Sequence, residues 1–344
     1  MQIIELEAGD EGCWNEYVNQ APDTSFFHLA GWREVLAKTY SHETRYLMAQ
    51  DGGEIWGILP LFILRHWLFG TQVSSLPGGL SARNSQTAAA LLEAAVAITN
   101  EAKADNLLLN AGSRLWDGNL VTSQLYCTQR LALPADPDHL WQGFPTRLRT
   151  KIRRAQKEGM ALVVGGAECI DAFYEVFSRN LRALGTPVFS KTLVQNIVAQ
   201  FPEQAKILNL NHEGQVVATM FVFLHKGVVY DQWAASLREY FRCRVNELLY
   251  WESLAWASRQ GCREFDFGRS RWNSGPYQFK AKWGAQPRPL YYQYYLRRGV
   301  RIPDFGLTAE RLPTHRLFVS FWQHVPLSLT RTIGPRIRKH LYPL

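Results

Sequence analysis

One short element occurs twice in this chain, and it sets what the chain can fold into. Asp51-Gly52-Gly53-Glu54 precedes the apolar run Ile55 to Leu64, and His212-Glu213-Gly214-Gln215 precedes the run Val216 to Leu224. A strand-like segment leads into each, Thr44 to Gln50 and Ala205 to Asn211. Two β-rich runs joined by a Gly-containing pair read as a β-hairpin, because the tight turn needs a backbone that glycine adopts at no steric cost. Each hairpin is followed at some distance by a helical pattern and a short strand: Gln86 to Ala104 then Leu107 to Leu109, and Glu247 to Gln260 then Glu264 to Phe267. The order predicts two related α/β halves. A chain of 344 residues, 47% hydrophobic and 13% aromatic, is long enough to bury a core in each.

The second half holds the residues with the most chemistry. From Glu264 to Gly284 the sequence runs EFDFGRSRWNSGPYQFKAKWG. Phe265 and Phe267 form the core of a strand, and Asp266 and Gly268 fall where a strand of an open α/β sheet meets its ligand-facing loop. Arg269, Arg271 and Lys280 gather positive charge around a loop held by Gly275 and Pro276. That charge suits a phosphate or carboxylate on a substrate, and it equally describes a solvated basic surface. The preceding helix is expected to take Asn246 as its N-cap and Glu247 as the acid at its positive end. Leu248, Trp251 and Ala255 recur at helical spacing, and Gly261 offers a stop.

Between the halves, Thr146 to Gly159 predicts a basic helix with six Lys or Arg against one Glu, placing Arg147, Lys151 and Arg154 on one face. Such a helix either holds RNA or a diphosphate or is a solvated linker. The second half then begins with a strand, Ala161 to Val164, and a helix, Asp171 to Leu184; Gly185-Thr186-Pro187 breaks the chain and Ser190 caps the next helix. Residues 301 to 344 carry seven Lys or Arg and two acids, with Leu317, Phe318, Phe321, Trp322 and Val325 in helical rhythm. This basic amphipathic tail is suited either to an anionic membrane surface or to capping the second core.

The net charge of +8 favours anionic partners. Five scattered cysteines with no CxxC pair indicate neither a disulfide framework nor a zinc site, and a reducing cytoplasm is the simplest compartment. The acidic start MQIIELEAGDEG does not resemble a signal peptide, and no apolar run approaches the ~20 residues a membrane span needs. HExxH, GxSxG, P-loop and GxGxxG patterns are missing, which argues against zinc hydrolases, α/β-hydrolases, P-loop NTPases and dinucleotide oxidoreductases.

At Asp266-Phe267-Gly268 through Phe279-Lys280, after the Asn246 helix, the sequence resembles the FemAB-like branch of the GNAT acyltransferase superfamily. The resemblance extends to Phe26, Phe27 and Trp32, the paired hairpins, the basic helix with Lys151, Arg153 and Arg154, and Gly185-Thr186-Pro187. More narrowly, the chain is similar to the FemAB-related proteins associated with exosortase/PEP-CTERM exopolysaccharide systems of Gram-negative bacteria, whose tails are likewise basic and amphipathic. The resemblance implies an α/β (α+β) fold of two tandem GNAT-like domains, each a mixed twisted sheet flanked by helices. We expect these at residues 1–145 and 146–300, the second with the catalytic cleft, followed by the amphipathic tail at 301–344. It implies transfer of an aminoacyl group from aminoacyl-tRNA to an amine of an envelope precursor, with no tightly bound cofactor.

The lysine of the family's Phe-Lys motif falls on Lys280, where it would stabilise phosphate or a developing oxyanion. Asp266 or Asp231 would take the proton from the attacking amine or hold that amine, unless Asp266 simply caps the following loop. Arg269 would neutralise the acceptor, Asn246 joins the substrate-binding set, and Tyr277 and Trp283 either wall the pocket or belong to the core. For the acceptor, Val188-Phe189 stands where the family has a basic residue, and Lys38 is the lysine nearest Trp32. Ordinary GNAT enzymes hold coenzyme A on a Gly-rich loop, and the equivalent Arg238 to Val245 has no glycine. Aminoacyl-tRNA is therefore the expected donor, with Arg242, Arg244, Lys151 and Arg154 as donor-binding residues and acyl-coenzyme A as the alternative. A coenzyme A-dependent N-acyltransferase acting on a nucleotide sugar, a catalytically silent scaffold and a non-specific RNA-binding protein are the competing functions. The expected location is the cytoplasm, or the periphery of the inner membrane through the tail.

Overall fold

A computed structural model of the protein describes residues 1–66, 70–297, 300 and 313–340. It groups into two compact units, Met1–Leu125 with Pro289–Gly306 and Lys339–Leu344, and Tyr126–Arg288 with Leu307–Arg338. This division falls before residue 145, where the sequence suggested the first domain to end, and the chain from Pro289 to Arg297 rejoins the first unit. Of the tail at 301–344, residues 301–312 and 341–344 lie outside the described residues.

The first unit contains β1 (Gln2–Glu5), α1 (Glu11–Gln20), α2 (Trp32–Tyr40), β2 (Glu43–Asp51), β3 (Glu54–His66), β4 (Gly70–Ser75), β5 (Ser81–Ala82), α3 (Ser85–Glu101) and β6 (Asn106–Gly112). The hairpin read from sequence is β2 and β3, paired from Glu43↔Ile63 to Asp51↔Glu54 with a register shift between Ala49 and Gln50. Its turn puts Gly52 and Gly53 at φ 57° and 85°, the double positive φ of a turn whose twist matches that of the strands. β1 pairs antiparallel with β2 and β4 antiparallel with β3, while β4 and β6 run parallel from Gln72↔Asn106 to Ser74↔Leu108. Leu91 and Ala95 of α3 are buried against Leu59, Leu61 and Leu107 of this sheet.

The second unit contains most of β7 (Val121–Ala132), then α4 (Pro137–Gly143), α5 (Thr146–Gln156), β8 (Ala161–Gly165), α6 (Ile170–Ala183), α7 (Lys191–Gln200), β9 (Ala205–His212), β10 (Gln215–His225), β11 (Val228–Ser236), α8 (Val245–Arg259), β12 (Glu264–Asp266), β13 (Ser270–Arg271) and α9 (Gly275–Ala281). β9 and β10 are the second hairpin, with Glu213 and Gly214 at φ 48° and 80°. β8 and β11 flank it antiparallel, and β11 and β12 run parallel from Val228↔Glu264 to Tyr230↔Asp266. The two units thus repeat one frame: an edge strand, the hairpin, a fourth strand, and a parallel neighbour reached through α3 or α8.

The sixth strands depart from simple repetition. β7 precedes nearly all of the second unit in sequence and pairs antiparallel with β12 inside it. β14 (Gln286–Leu296) follows α9, yet pairs antiparallel with β6 of the first unit. The first unit's last strand is therefore supplied from beyond the second unit in sequence, while the second unit's last strand lies just ahead of the rest of that unit. α10 (Pro313–His324) and α11 (Leu327–Arg338) then close the second unit.

The second core lies on both faces of its sheet. Leu248, Leu249, Leu254 and Ala255 of α8 are buried with Leu208, Met220, Val229 and Phe265. On the other helix pack, Phe173 and Phe177 of α6 stack at 5.1 Å, Phe173 meets Phe221, and Phe177 meets Trp233. Each such large side chain contributes about 1.5–3 kcal/mol on burial. α8 is apolar nearly all round because it is covered by α5 as well as by the sheet, which leaves few of its positions for polar residues.

Candidate active site

β11 and β12 stop pairing at Tyr230 and Asp266, and β11 continues to Ser236. Just beyond that point its register with β10 slips, Phe221 facing Trp233 and Val222 facing Asp231, so Gln232 is the extra residue of a β-bulge. The divergence of two parallel strands opens a gap at their C-terminal ends, where open α/β sheets place ligands. Gly268 crosses close to β11 here. A side chain at Gly268 would put its Cβ 2.5 Å from the Asp231 carbonyl oxygen, at a φ of 70°, so glycine alone lets the chain pass.

Three ionisable side chains meet at this gap. Asp231 is buried, and its Oδ2 accepts a hydrogen bond from Tyr250 Oη of α8 at 2.7 Å. Burial pushes the Asp231 carboxyl up to about 6, against the opposing pull of the Lys280 charge and the Tyr250 bond. Burial likewise drives the Tyr250 phenol well above its usual range, and the neighbouring Asp231 carboxylate adds to the rise. Lys280 is only 7% exposed, with its ammonium lowered by burial and held up by Asp231 and Asp266. Its Nζ donates to the carbonyls of Gly268 at 2.9 Å and Arg269 at 3.2 Å. An ammonium carries three N–H donors, so one remains for a ligand.

Asp266 has a different environment. Its Oδ2 accepts from Arg130 Nε at 2.8 Å, and its Oδ1 accepts from Thr128 Oγ1 and, at 2.9 Å, from the Gly268 amide. Arg130 also pairs with Glu264, which pairs with Arg288. Asp266 therefore ties β12 to β7 and caps the turn into Gly268, the loop-capping arrangement weighed from sequence. Both carboxyls act on the Lys280 charge, but Asp231 has only a single neutral donor, Tyr250.

The segment after β13 corrects the expected loop. Ser274-Gly275-Pro276 starts a helix, α9, in which Ser274 Oγ accepts from the Tyr277 amide at 3.3 Å. Proline at the first turn lacks only an N–H that would be unpaired there. α9 aims Lys280 inward and sets Phe279 beside Tyr250, ring centroids 5.1 Å apart. A cavity of about 300 Å³ adjoins the site, lined among others by Asn180, Ser236, Asn246, Tyr250, Phe279 and Lys280.

Residues 143–281 match the family described as Acetyltransferase (GNAT) domain. The second unit carries a GNAT acyltransferase domain. No curated protein matches the chain by sequence. Among solved structures it is similar to FemX (14% identity, 86% of this chain and 98% of that one, TM-score 0.67). It is also similar to the C-terminal domain of a protein of Agrobacterium fabrum assigned as a lysylphosphatidylglycerol synthetase (13%, 83% and 92%, TM-score 0.59). A third is a tandem GNAT protein from the clavulanic acid biosynthesis pathway (14%, 86% and 98%, TM-score 0.56). At these identities the likeness is one of fold, and it covers both units of the chain.

Within the GNAT domain, several expected site residues take other places. Asn246 is not the N-cap of α8: Arg244 is, in the left-handed region at φ 59°, and no side chain caps the helix. Asn246 Oδ1 instead accepts from Ser236 Oγ at 2.7 Å, at the cavity wall. Arg242 is exposed on the 3-10 turn before Arg244. Lys151 of α5 pairs with Glu247 in the first turn of α8 at 3.4 Å, and Arg154 is exposed. Arg269 is exposed with its guanidinium over the Tyr126 ring, 5.0 Å from the centroid. Tyr277 rests against Trp272. Trp283 is buried in the core against Phe144, behind Tyr250 and Phe279, and does not line the cavity described. In the first unit, Trp32 is a core residue stacked on Phe27, and Lys38 pairs with Glu34 one helical turn away. Tyr250, Thr128 and Arg130 escape sequence reading: Tyr250 hides in the apolar rhythm of α8, and the other two reach the site only through strand pairing.

Proposed function

We propose that the protein forms an amide by transferring an acyl or aminoacyl group to an amine on a cell-envelope or exopolysaccharide precursor at the cytoplasmic face of the inner membrane. The observation that carries this reading is the meeting of Asp231, Tyr250 and Lys280 at the gap between β11 and β12, beside a cavity. An attacking amine must shed a proton, and a carboxylate with a pKa near 6 is ionised at neutral pH while still being a useful base. Nitrogen bonds to the donor carbonyl carbon, the bond to the leaving oxygen or sulfur breaks, and the nitrogen's proton passes to Asp231 and on to the leaving group. The remaining N–H of Lys280 stabilises the oxyanion formed on the way, in a site dry enough to make that charge effective. Tyr250 positions Asp231. Arg269 and Arg242, exposed near the site in sequence, serve acceptor and donor phosphates.

For the donor, aminoacyl-tRNA is the leading reading. The exposed Arg147, Arg153 and Arg154 of α5 form a basic surface near the start of the domain, and the turn before α8 has no glycine to cradle a pyrophosphate. The similar structures include a FemX and a lysylphosphatidylglycerol synthetase assignment, which suits an envelope acceptor. The narrower likeness to PEP-CTERM-associated proteins makes an exopolysaccharide precursor the first acceptor to try. Acyl-coenzyme A is the second reading, favoured by the acetyltransferase domain match and by the uncapped N-terminus of α8. Mass spectrometry of RNA and small molecules that co-purify with wild type and with Lys280→Ala separates them. Enriched aminoacylated tRNA supports the first donor and enriched acyl-coenzyme A the second. Full rescue of an envelope or polysaccharide defect by Lys280→Ala would replace both with a scaffold role.

A further inference from the structure

The C-terminal helices have two unlike faces. Inward, they are fastened to α6 and the segment after it. Trp322 and Thr330 are buried, Arg182 Nε donates to the Val325 carbonyl at 2.7 Å, and Gln323 Nε2 donates to that of Ala183 at 3.0 Å. Arg331 donates to Ser178 Oγ at 2.9 Å and pairs with Glu175. Gly334 lies so close to Val188 that a Cβ there would sit 2.9 Å from the Val188 nitrogen. The helices therefore cap the second unit, as one of the two sequence readings held.

Capping uses one face only. Outward, α10 presents Leu317, 70% exposed, and Phe321, 66% exposed, one turn apart with Phe318 beside them. α11 presents Leu329 and Ile333, 49% and 40% exposed and likewise one turn apart. Exposed apolar residues scattered singly need no explanation, but clustered ones on one helical pair mark a contact surface. The charge around them has one sign. From Pro313 to His340 there are five Lys or Arg and no Asp or Glu; Arg331 and Arg338 turn inward to Glu175 and the Phe189 ring, and Arg316, Arg336 and Lys339 are exposed. A protein partner with an apolar patch would not call for this one-sided charge, whereas an anionic bilayer rewards both features at once. No helix among the described residues is long and apolar enough to cross a membrane, so the contact is one of lying on the surface.

We infer that the outer face of α10 and α11 is a docking surface for an anionic lipid bilayer, with Leu317, Phe321, Leu329 and Ile333 entering the interface and Arg316 and Arg336 meeting lipid phosphates. α10 and α11 are fastened to α6 and the segment after it, so the membrane would be met at one face of the second unit. The inference names a partner for the envelope reading above, but it stands on the tail alone and does not depend on the donor or on Asp231 and Lys280.

The test is co-sedimentation of the full chain with vesicles of phosphatidylcholine alone or mixed with phosphatidylglycerol, beside light scattering of the free protein. We expect binding to the mixed vesicles that weakens as salt rises, and little to phosphatidylcholine alone. The double variant Leu317→Glu/Phe321→Glu should lower the partition by about tenfold or more, since it loses two apolar anchors and gains two repelled charges. Both positions are exposed, so its melting temperature should match wild type, and its transfer to a soluble acceptor amine should be unchanged. Absence of vesicle binding by a folded wild-type chain overturns the inference. So does a concentration-dependent dimer that the double variant abolishes, which would assign the face to a second copy. Loss of transfer in Lys280→Ala with vesicle binding intact would leave the inference standing, and the converse result would leave the acyltransfer reading standing.

Discussion

The two units share a frame and differ at one place in it. In the first, α3 begins with Asn84, whose side chain accepts from the Thr87 amide at 2.8 Å, and the gap after β4 and β6 is laced shut. The Asn110 amide there donates to Ser75 Oγ at 2.8 Å, and the Gly78 amide to the Asn110 carbonyl at 3.0 Å. In the second, α8 begins at a left-handed Arg244 with no side-chain cap, and the corresponding gap holds Asp231, Tyr250 and Lys280 beside a cavity. Neutral groups that satisfy one another stand in one unit and charged groups with capacity to spare stand in the other. The difference lies at the strand ends and not in the shared frame, and the chemistry proposed above sits where the end of the parallel pair is left open.

The comparison can be broken first at the level of the fold. A fragment of residues 146–300 lacks β7 and retains β14, so it should show no cooperative melt, whereas residues 121–338 keep all six strands of the second unit and should melt in one step. Equal melting of the two by calorimetry would show that β7 is dispensable. Next, Lys280→Ala should lower transfer by about 10²–10³-fold in steady-state assays, and Lys280→Arg should fail to restore it, because a planar fork does not fit between the Gly268 and Arg269 carbonyls.

Asp231→Asn should cost about 10²-fold and remove the acid limb of the pH–rate profile, which in wild type falls away below a pH of about 6. The same carboxyl predicts a stability trend. Its folded pKa is raised, so the native state holds the proton more tightly than the unfolded chain does. Wild-type stability relative to Asp231→Asn should therefore decline as pH rises from the ordinary carboxylate range through about 6, and level off above. A thermal-melt series of both proteins checks the sign. The smallest effect is expected in the closed unit: Asn84→Ala should cost about 1 kcal/mol of stability through the lost cap and leave the transfer rate as it was.

Much of the frame was legible because it is written in local signals. Gly52-Gly53 and Glu213-Gly214 announce their turns by chemistry, and Ser190 announces a helix by accepting from the Thr192 amide. Asn246 misled because an arginine took the left-handed cap position two residues earlier, a conformation that glycine, asparagine or aspartate advertises and arginine does not. The cluster of Asp231 and Lys280 was visible as two separate candidates, while Tyr250 gave no sign, since its spacing on α8 is that of a core residue. The pairing of Asp266 with Thr128 and Arg130 was invisible for a different reason. It depends on which strand lies beside β12, and nothing local in β7 names its partner.

The late arrival of β14 has a consequence during synthesis. A ribosome finishes β6 at Gly112 but does not reach β14 until Gln286. At about 5–20 residues per second, the edge of β6 that β14 will cover stands open for roughly ten to thirty-five seconds on every nascent chain. An uncovered, apolar strand edge is a template for pairing with other chains. The first half of this protein therefore carries an uncovered edge until the second half has been made, and yield of soluble protein should follow the speed at which the ribosome crosses that interval.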